Sequence, residues 1–301
     1  MKSLLFTGAS GFLGNNILPI LREKYSPITS LGHLDTDDIT VNLAHDIPVL
    51  PQRYDMVLHA AGKAHIVPRT PKDEQSFYDI NFQGTKNLCS ALDKVGVPKS
   101  LIFISTVAVY GCERGELITE DHDRNGITPY AKSKIMAEDF LTDWCGKNNV
   151  VLTILRPSLL AGVNPPGNLG DMIRGIEKGF YVNIDGGKVR KSILMAGDIA
   201  RLLPLVEKKG GVYNVCDTAQ PTFGQISESI ARQLGKRKPI SISYPIAKLL
   251  ANFGDLLGKR APINSSRLSK ITNSLTFSND KAVSMLGWQP LDVIENFKIH
   301  K

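Results

Sequence analysis

The run Thr7-Gly8-Ala9-Ser10-Gly11-Phe12-Leu13-Gly14 constrains this chain more than any other stretch. It follows a compact apolar segment, Ser3–Thr7, and leads at once into a helical pattern over Phe12–Glu23. Three glycines at GxxGxxG spacing between a strand and a helix have separate physical uses. One permits the tight turn out of the strand, one lets the backbone approach a pyrophosphate, and the last lets the helix pack against the strand. The start of the helix then offers unpaired N–H groups and the positive end of its dipole to phosphates. The loop therefore predicts dinucleotide binding through Gly8, Ser10, Gly11, Phe12, Leu13 and Gly14.

The rest of the first half keeps the same rhythm. Strand candidates are Pro27–Leu31, Ile39–Leu43, Asp55–Ala60, Leu101–Ser105 and Val150–Leu155. Helical patterns lie between them at Glu74–Val95 and Tyr130–Cys145. Strands alternating with helices predict an α/β fold, a doubly wound parallel sheet of Rossmann type covered on both faces. After about Pro157 the rhythm changes to the Gly- and Pro-rich GVNPPGNLG, a strand at Tyr213–Val215 and helices near Phe223–Leu234 and Pro245–Leu257. This predicts a dinucleotide-binding domain over residues 1–157, to which later segments return, and a smaller mixed C-terminal substrate lobe over 158–301. In the last of these helices Ile246, Leu249, Leu250, Phe253, Leu256 and Leu257 repeat at helical spacing, with Lys248 and Lys259 nearby. Such a stripe faces a core or a second copy more often than a membrane surface.

Composition narrows the class. With 301 residues, 42% of them hydrophobic, the chain can bury a large core. It contains no apolar run of the roughly 18 residues that a membrane span needs. Its first residues enter a strand directly, which leaves no room for a signal peptide and predicts a cytoplasmic protein. Cys89, Cys112, Cys145 and Cys216 form no CxxC pair and predict free thiols with no metal site. The net charge of +7 is spread along the chain without a basic arm or a nucleic-acid motif. It suits a solvated surface, or attraction of an anionic small molecule, and no nucleic-acid partner is expected.

The adenosine 2′ position is open. NAD binders place an acid after the second strand. Here that stretch reads Ile28-Thr29-Ser30-Leu31-Gly32-His33, with Asp35 slightly beyond and no Arg to grip a 2′-phosphate. NAD and NADP both remain possible cofactors.

Further elements follow in order: His59-Ala60-Ala61-Gly62, Asn81-Phe82-Gln83-Gly84-Thr85, Ser105-Thr106-Val107-Ala108-Val109-Tyr110-Gly111, Tyr130-Ala131-Lys132-Ser133-Lys134, Arg156-Pro157 and Leu286-Gly287-Trp288-Gln289-Pro290. Together with the glycine loop they resemble the extended short-chain dehydrogenases, and more narrowly the NAD-dependent epimerase/dehydratase family acting on nucleotide sugars. The resemblance covers the whole chain. It implies a catalytic Thr106, Tyr130 and Lys134. It implies cofactor contacts from the glycine loop, His33, Asn42, Leu43, Ala60, Ala61, Gly62, Asn81, Ser105, Tyr130, Lys134 and Pro157. Asn42 stands where the family has an acid. The resemblance also implies substrate contacts from Asn168, Arg190 and Lys191, and a homodimer built on the 74–95 and 130–145 helices. The GGKVRKS turn that carries Arg190 reads equally as solvated surface. His59 and His65 read as structural or cofactor-proximal.

The spacing has its own chemistry. Tyr130 and Lys134, four apart on a helix, share a face. A free phenol titrates near 10, and a nearby ammonium favours the phenolate. That makes Tyr130 a base usable near neutral pH. By resemblance, Thr106 bonds the sugar oxygen, and Lys134 bonds the nicotinamide ribose. The family's dehydratases carry an acidic pair directly after the catalytic Thr, where this chain has Val107 and Ala108, so 4,6-dehydration is not expected. Two enzyme readings stand: a 4-epimerase that keeps its NAD, slightly favoured, and a 4-keto-sugar reductase of surface polysaccharide synthesis that uses NADH or NADPH once. A non-catalytic dinucleotide sensor is the alternative from another class, and the presence of both Tyr130 and Lys134 argues against it.

Overall fold

The computed structural model describes residues 1–64, 66–257 and 265–299; His65 and Lys259 lie outside the described residues. Seven strands form the central sheet: β1 (Lys2–Thr7), β2 (Tyr25–Gly32), β3 (Ile39–Thr40), β4 (Met56–His59), β5 (Ser100–Ile104), β6 (Val151–Pro157) and β7 (Gly211–Val215). All neighbours run parallel in the spatial order 3-2-1-4-5-6-7. This is the α/β, Rossmann-like arrangement, and the glycine loop leaves the C-terminal end of its central strand.

Strand alternation sends side chains to two cores. Leu4, Phe6, Met56, Leu58, Ile102 and Leu155 face α1 (Phe12–Arg22) and a later helix, Ala196–Val206. Leu5, Val57, Leu101, Phe103 and Ile154 face the other side. There they meet α3 (Gly84–Val95) and α4 (Pro129–Asn148), through Leu88, Leu92, Ala137 and Leu141. The chain end returns to the first core, where Leu286 and Trp288 are buried. A separate cluster around Leu169, Ile176, Ile226, Ile230 and Phe297 forms the core of the smaller lobe. It is built on α5 (Gly167–Glu177) and α7 (Phe223–Gln233), whereas α6 (Ala196–Val206) packs against the sheet.

Three elements differ from the sequence reading. The third strand stops at Thr40, because Asn42 turns the chain: its Oδ1 accepts from the Ala44 N–H at 3.1 Å. The 74–95 helix is two helices, α2 (Pro71–Tyr78) and α3, joined by a π-helical turn at Asp79–Gln83. Thr70 and Asp73 close a capping box at the start of α2, which draws that start forward to Pro71. Third, the stripe in α8 (Tyr244–Leu257) does not face the core. Ala247, Ala251 and Gly254 are buried, whereas Ile246, Leu249, Leu250 and Phe253 are each about half exposed or more, and the side chains of Leu256 and Leu257 lie outside the described residues. Among the described residues, no helix is long and apolar enough to cross a membrane.

Candidate active site

The glycine loop is closed from behind. Gly8 has φ +78°, and a Cβ there would lie 2.7 Å from the Ala61 nitrogen. The loop and Ala60-Ala61 therefore share one tight backbone contact that only glycine allows. At Gly14 a Cβ would run into the Ala9 backbone, which fixes α1 against the loop. Helix α1 begins after Gly11 with no side-chain cap and no acidic residue in its first turn. Its first N–H groups are thus available to an anion, and the loop fits the diphosphate of a dinucleotide.

Behind the loop runs a buried hydrogen-bond chain centred on His59. Thr85 Oγ1 donates to the Asn81 carbonyl at 2.7 Å, so it must accept from His59 Nε2 at 2.8 Å. His59 Nδ1 is then the acceptor for Thr7 Oγ1 at 2.7 Å, and Thr7 Oγ1 accepts the Ala61 N–H at 3.2 Å. Each proton has one direction and the imidazole is neutral. Burial, and then the charge of Lys134, push His59 down to about 3. His59 is a structural tie between the Ala61 loop and the Asn81 turn.

Asn81 holds the next segment. Its Oδ1 accepts the Lys63 N–H at 2.7 Å, and its amide donates to Ser133 Oγ at 2.9 Å and to the Lys63 carbonyl at 3.1 Å. Ser133 Oγ in turn donates to the Tyr130 carbonyl at 2.8 Å. The loop at Gly62, the π turn and the start of α4 are thereby joined. A Cβ on Gly62 would stand 3.2 Å from Lys134 Nζ.

Helix α4 starts where Thr128 caps the Ala131 N–H at 3.1 Å with Pro129 in the first turn. This presents Tyr130 and Lys134 to the C-terminal end of β5. Burial pushes the Tyr130 phenol up, and the Thr106 hydroxyl opposes this. Lys134 Nζ donates to the Ile104 carbonyl at 2.8 Å and stands 4.6 Å over the Phe103 ring. Burial lowers Lys134 to about 8, against the pull of Glu138. The Tyr130 phenol is thus shifted upward by loss of solvent, opposite in direction to the depression expected from its lysine. Thr106 also caps the turn behind it, accepting from Ala108 N–H at 3.2 Å.

Beneath these three lies a buried charge pair. Glu138 takes two bonds from Arg156, at 3.1 and 2.6 Å, and one from Ser105 Oγ at 2.5 Å. Arg156 also donates to Tyr110 Oη at 3.0 Å. The Ser105 hydroxyl is therefore engaged below the site, and Pro157 closes β6 beside Val215. Glu138 was not singled out from sequence, although it lies one turn beyond Lys134.

The second residue that sequence reasoning missed is Asp37. It is 7% exposed, and its carboxylate takes a bond from Ser10 Oγ at 3.1 Å and one from Leu34 N–H at 3.2 Å. A side chain on Gly32 would collide with it. A fold-back thus brings an acid, five residues beyond the end of the second strand, beside Gly32 and Ser10. The other adenosine-side candidates are dispersed: His33 is exposed, Leu43 is buried under Gly84, and Asn42 caps its own turn.

On the smaller lobe, Asn168 is exposed at the start of α5. Arg190 donates to the Gln220 carbonyl at 2.5 Å. Lys191 is half-buried beside Leu275, and burial lowers its ammonium. The cysteines are free, with Cys89, Cys145 and Cys216 buried.

Similar proteins agree with this architecture. The chain is 28% identical over 305 residues to N-acetyl-alpha-D-glucosaminyl-diphospho-ditrans,octacis-undecaprenol 4-epimerase of Escherichia coli O157:H7, covering 94% of this chain and 89% of that protein. It is 25% identical to UDP-glucose 4-epimerase of Vibrio cholerae, covering 99% and 94%. The solved structure of UDP-glucose 4-epimerase from Thermotoga maritima with UDP-glucose superposes with a TM-score of 0.74 at 19% identity, over 98% of this chain and 96% of that one. The model of the NAD dependent epimerase/dehydratase family matches residues 4–216. With that match spanning the glycine loop, the Tyr130 helix and the last strand of the sheet, the chain belongs to the NAD dependent epimerase/dehydratase family.

Proposed function

We propose that this protein is an NAD-dependent 4-epimerase of a sugar carried on a diphosphate. The observation that carries the reading is the placement of Thr106 at the end of β5 with Tyr130 and Lys134 one turn apart at the start of α4, beside the Gly8–Ala61 contact. When bound, the dinucleotide supplies a hydride acceptor that can return what it takes. Thr106 and Tyr130 hold the sugar hydroxyl, and the Tyr130 oxygen takes and returns its proton. Lys134 steadies the phenolate, and Asn81 fixes the backbone around both. Val107 and Ala108, apolar residues in the turn after Thr106, supply no acid for 4,6-dehydration.

Asp37 favours NAD. A carboxylate beside Ser10 and Gly32 accepts from a ribose hydroxyl and repels a 2′-phosphate. Residues 1–157 with β7 hold the dinucleotide, and residues 158–301 mainly hold the substrate, with Asn168, Arg190 and Lys191 directed to its diphosphate. A homodimer through α3 and α4 is part of the same reading.

The carrier of the diphosphate is a nucleoside or a polyprenol. The nucleotide is the first reading, and the similarity to the Escherichia coli undecaprenol-linked epimerase over 94% of the chain supports the second. The test is to denature the purified protein, identify the nucleotide released, and offer UDP-glucose and N-acetylglucosaminyl-diphospho-undecaprenol separately. Stoichiometric NAD and a C4 epimer without net cofactor consumption support the proposal. Net consumption of NADH or NADPH on a 4-keto sugar replaces it with the reductase, and failure to bind any dinucleotide overturns it.

A further inference from the structure

The outer face of α8 is inverted relative to an ordinary surface helix. Its small residues, Ala247 and Ala251, are fully buried against Ile184, Ile242 and Leu268. Its large residues point outward: Ile246 is 52% exposed, Leu249 58%, Leu250 49% and Phe253 58%. At 100° per residue these four occupy one stripe about 100° wide. The cost of leaving such a stripe in water is large, and contiguous apolar surface of this kind marks a contact site.

The stripe continues onto neighbouring segments. Ile240, 69% exposed, leads into the short strand Ser241–Ile242 that precedes α8. The Ile240 carbonyl accepts the Asn183 N–H at 2.8 Å, which brings the 180–184 segment alongside, with Phe180 at 67% exposure. Basic side chains border this surface. Lys236, Arg237 and Lys238 stand exposed just ahead of Ile240, and the exposed Lys178 lies two residues before Phe180. Lys238 is paired with Glu228 at 2.8 Å, and Asp185 and Asp255 are the exposed acids at the two ends of the helix.

We propose that α8 is a membrane-surface docking helix, whose occupant is an anionic lipid bilayer. Apolar side chains around a helix lying flat, with lysines and arginines at its edge, match the acyl boundary and the negative headgroups together. Neither signal suffices alone, and this face provides both. The inference does not depend on which reaction the site performs, because docking is read without turnover.

The experiment uses the full-length purified protein and sedimentation with vesicles. One set contains phosphatidylglycerol in phosphatidylethanolamine, the other phosphatidylcholine alone. The wild type is expected to sediment with the anionic set, less so as salt rises, and to stay in solution with the neutral set. L249S/F253S is expected to bind the anionic vesicles at least about tenfold more weakly. K236Q/R237Q is expected to weaken binding about 25-fold, since each basic residue near the surface contributes about fivefold. All these positions are exposed, so both variants keep the wild-type melting temperature and dinucleotide affinity. Wild-type protein that ignores anionic vesicles overturns the proposal, and so does L249S/F253S binding as tightly as wild type. A wild-type assembly that L249S/F253S breaks into smaller species, without vesicle binding, assigns the face to a second copy of the chain.

Discussion

Ser10 Oγ donates to Asp37 Oδ2 across 3.1 Å, tying the phosphate loop to the turn that follows the second strand. On the proposed reading, the same carboxylate would repel an extra phosphate on the adenosine ribose. D37N is expected to raise the affinity for NADP relative to NAD by about tenfold, since removing a like charge of this kind is worth roughly 1.4 kcal/mol. Competitive titration of the two cofactors reads the ratio. An unchanged ratio removes Asp37 from the adenosine site.

Tyr130→Phe is expected to lower turnover by about 10³-fold while leaving dinucleotide affinity within about twofold, because it removes a proton carrier and little packing. The buried Thr106→Val substitution removes the hydroxyl proposed to hold the sugar oxygen and is expected to cost turnover less, about 10- to 100-fold. Single-turnover measurement separates the two from any effect on binding. Equal retention of activity in both variants would place the chemistry elsewhere.

Lys134 gives a pH signature. Folding lowers it to about 8 from its ordinary 10.5. Between those values the unfolded chain binds more protons, so this group's contribution to stability rises with pH. Below about 8 the cost of the buried ammonium is fully present. The melting temperature of K134M minus that of wild type should therefore be most positive below pH 8 and decline toward 10.5. A difference that does not vary with pH means that the ammonium is not desolvated.

His59 behaves in the opposite pH range. It is pushed to about 3 from 6.5, so its stabilising contribution is complete above 6.5 and is lost as pH falls through 3. H59Q can both donate and accept, yet cannot gain a charge. Wild type should lose stability relative to H59Q as pH is lowered from 6.5 to 3, in chemical denaturation at each pH. Parallel curves would show that the imidazole is not buried neutral.

Glu138 and Arg156 are nearly inaccessible, at 1% and 5% of their side-chain surface. E138Q leaves the Arg156 guanidinium, and that of Arg124 which also reaches Glu138 at 3.2 Å, without this counter-charge and is expected to cost about 3–5 kcal/mol in urea denaturation. The double variant E138Q/R156M removes both charges and should recover part of that loss. Purely additive losses would mean that the pair contributes as two independent side chains.

These residues divide cleanly by how far their partners lie along the chain. The glycine loop, Thr106 and the Tyr130–Lys134 pair were legible because each is a local pattern: a turn between strand and helix, a strand end, one face of a helix. Asp37 was not, because its meaning comes from a fold-back that sets it beside Gly32 and Ser10. The π turn at Asp79–Gln83 was hidden as well, since Phe77, Ile80, Leu88 and Leu92 suggest one continuous helix while the Thr85 bond to the Asn81 carbonyl sits inside it. For α8 the periodicity correctly grouped Ile246, Leu249, Leu250 and Phe253 on one side. Periodicity does not say which way that side points, and the neighbouring Ala247 and Ala251 fill the core.

The last strand of the sheet, β7, pairs with β6 across a gap of more than fifty residues. Synthesis therefore releases six strands before the seventh exists. At about 5–20 residues per second, the β6 edge waits on the order of several seconds with its backbone groups unpaired. During that interval the nascent chain is a template for any other strand, including one from a neighbouring ribosome.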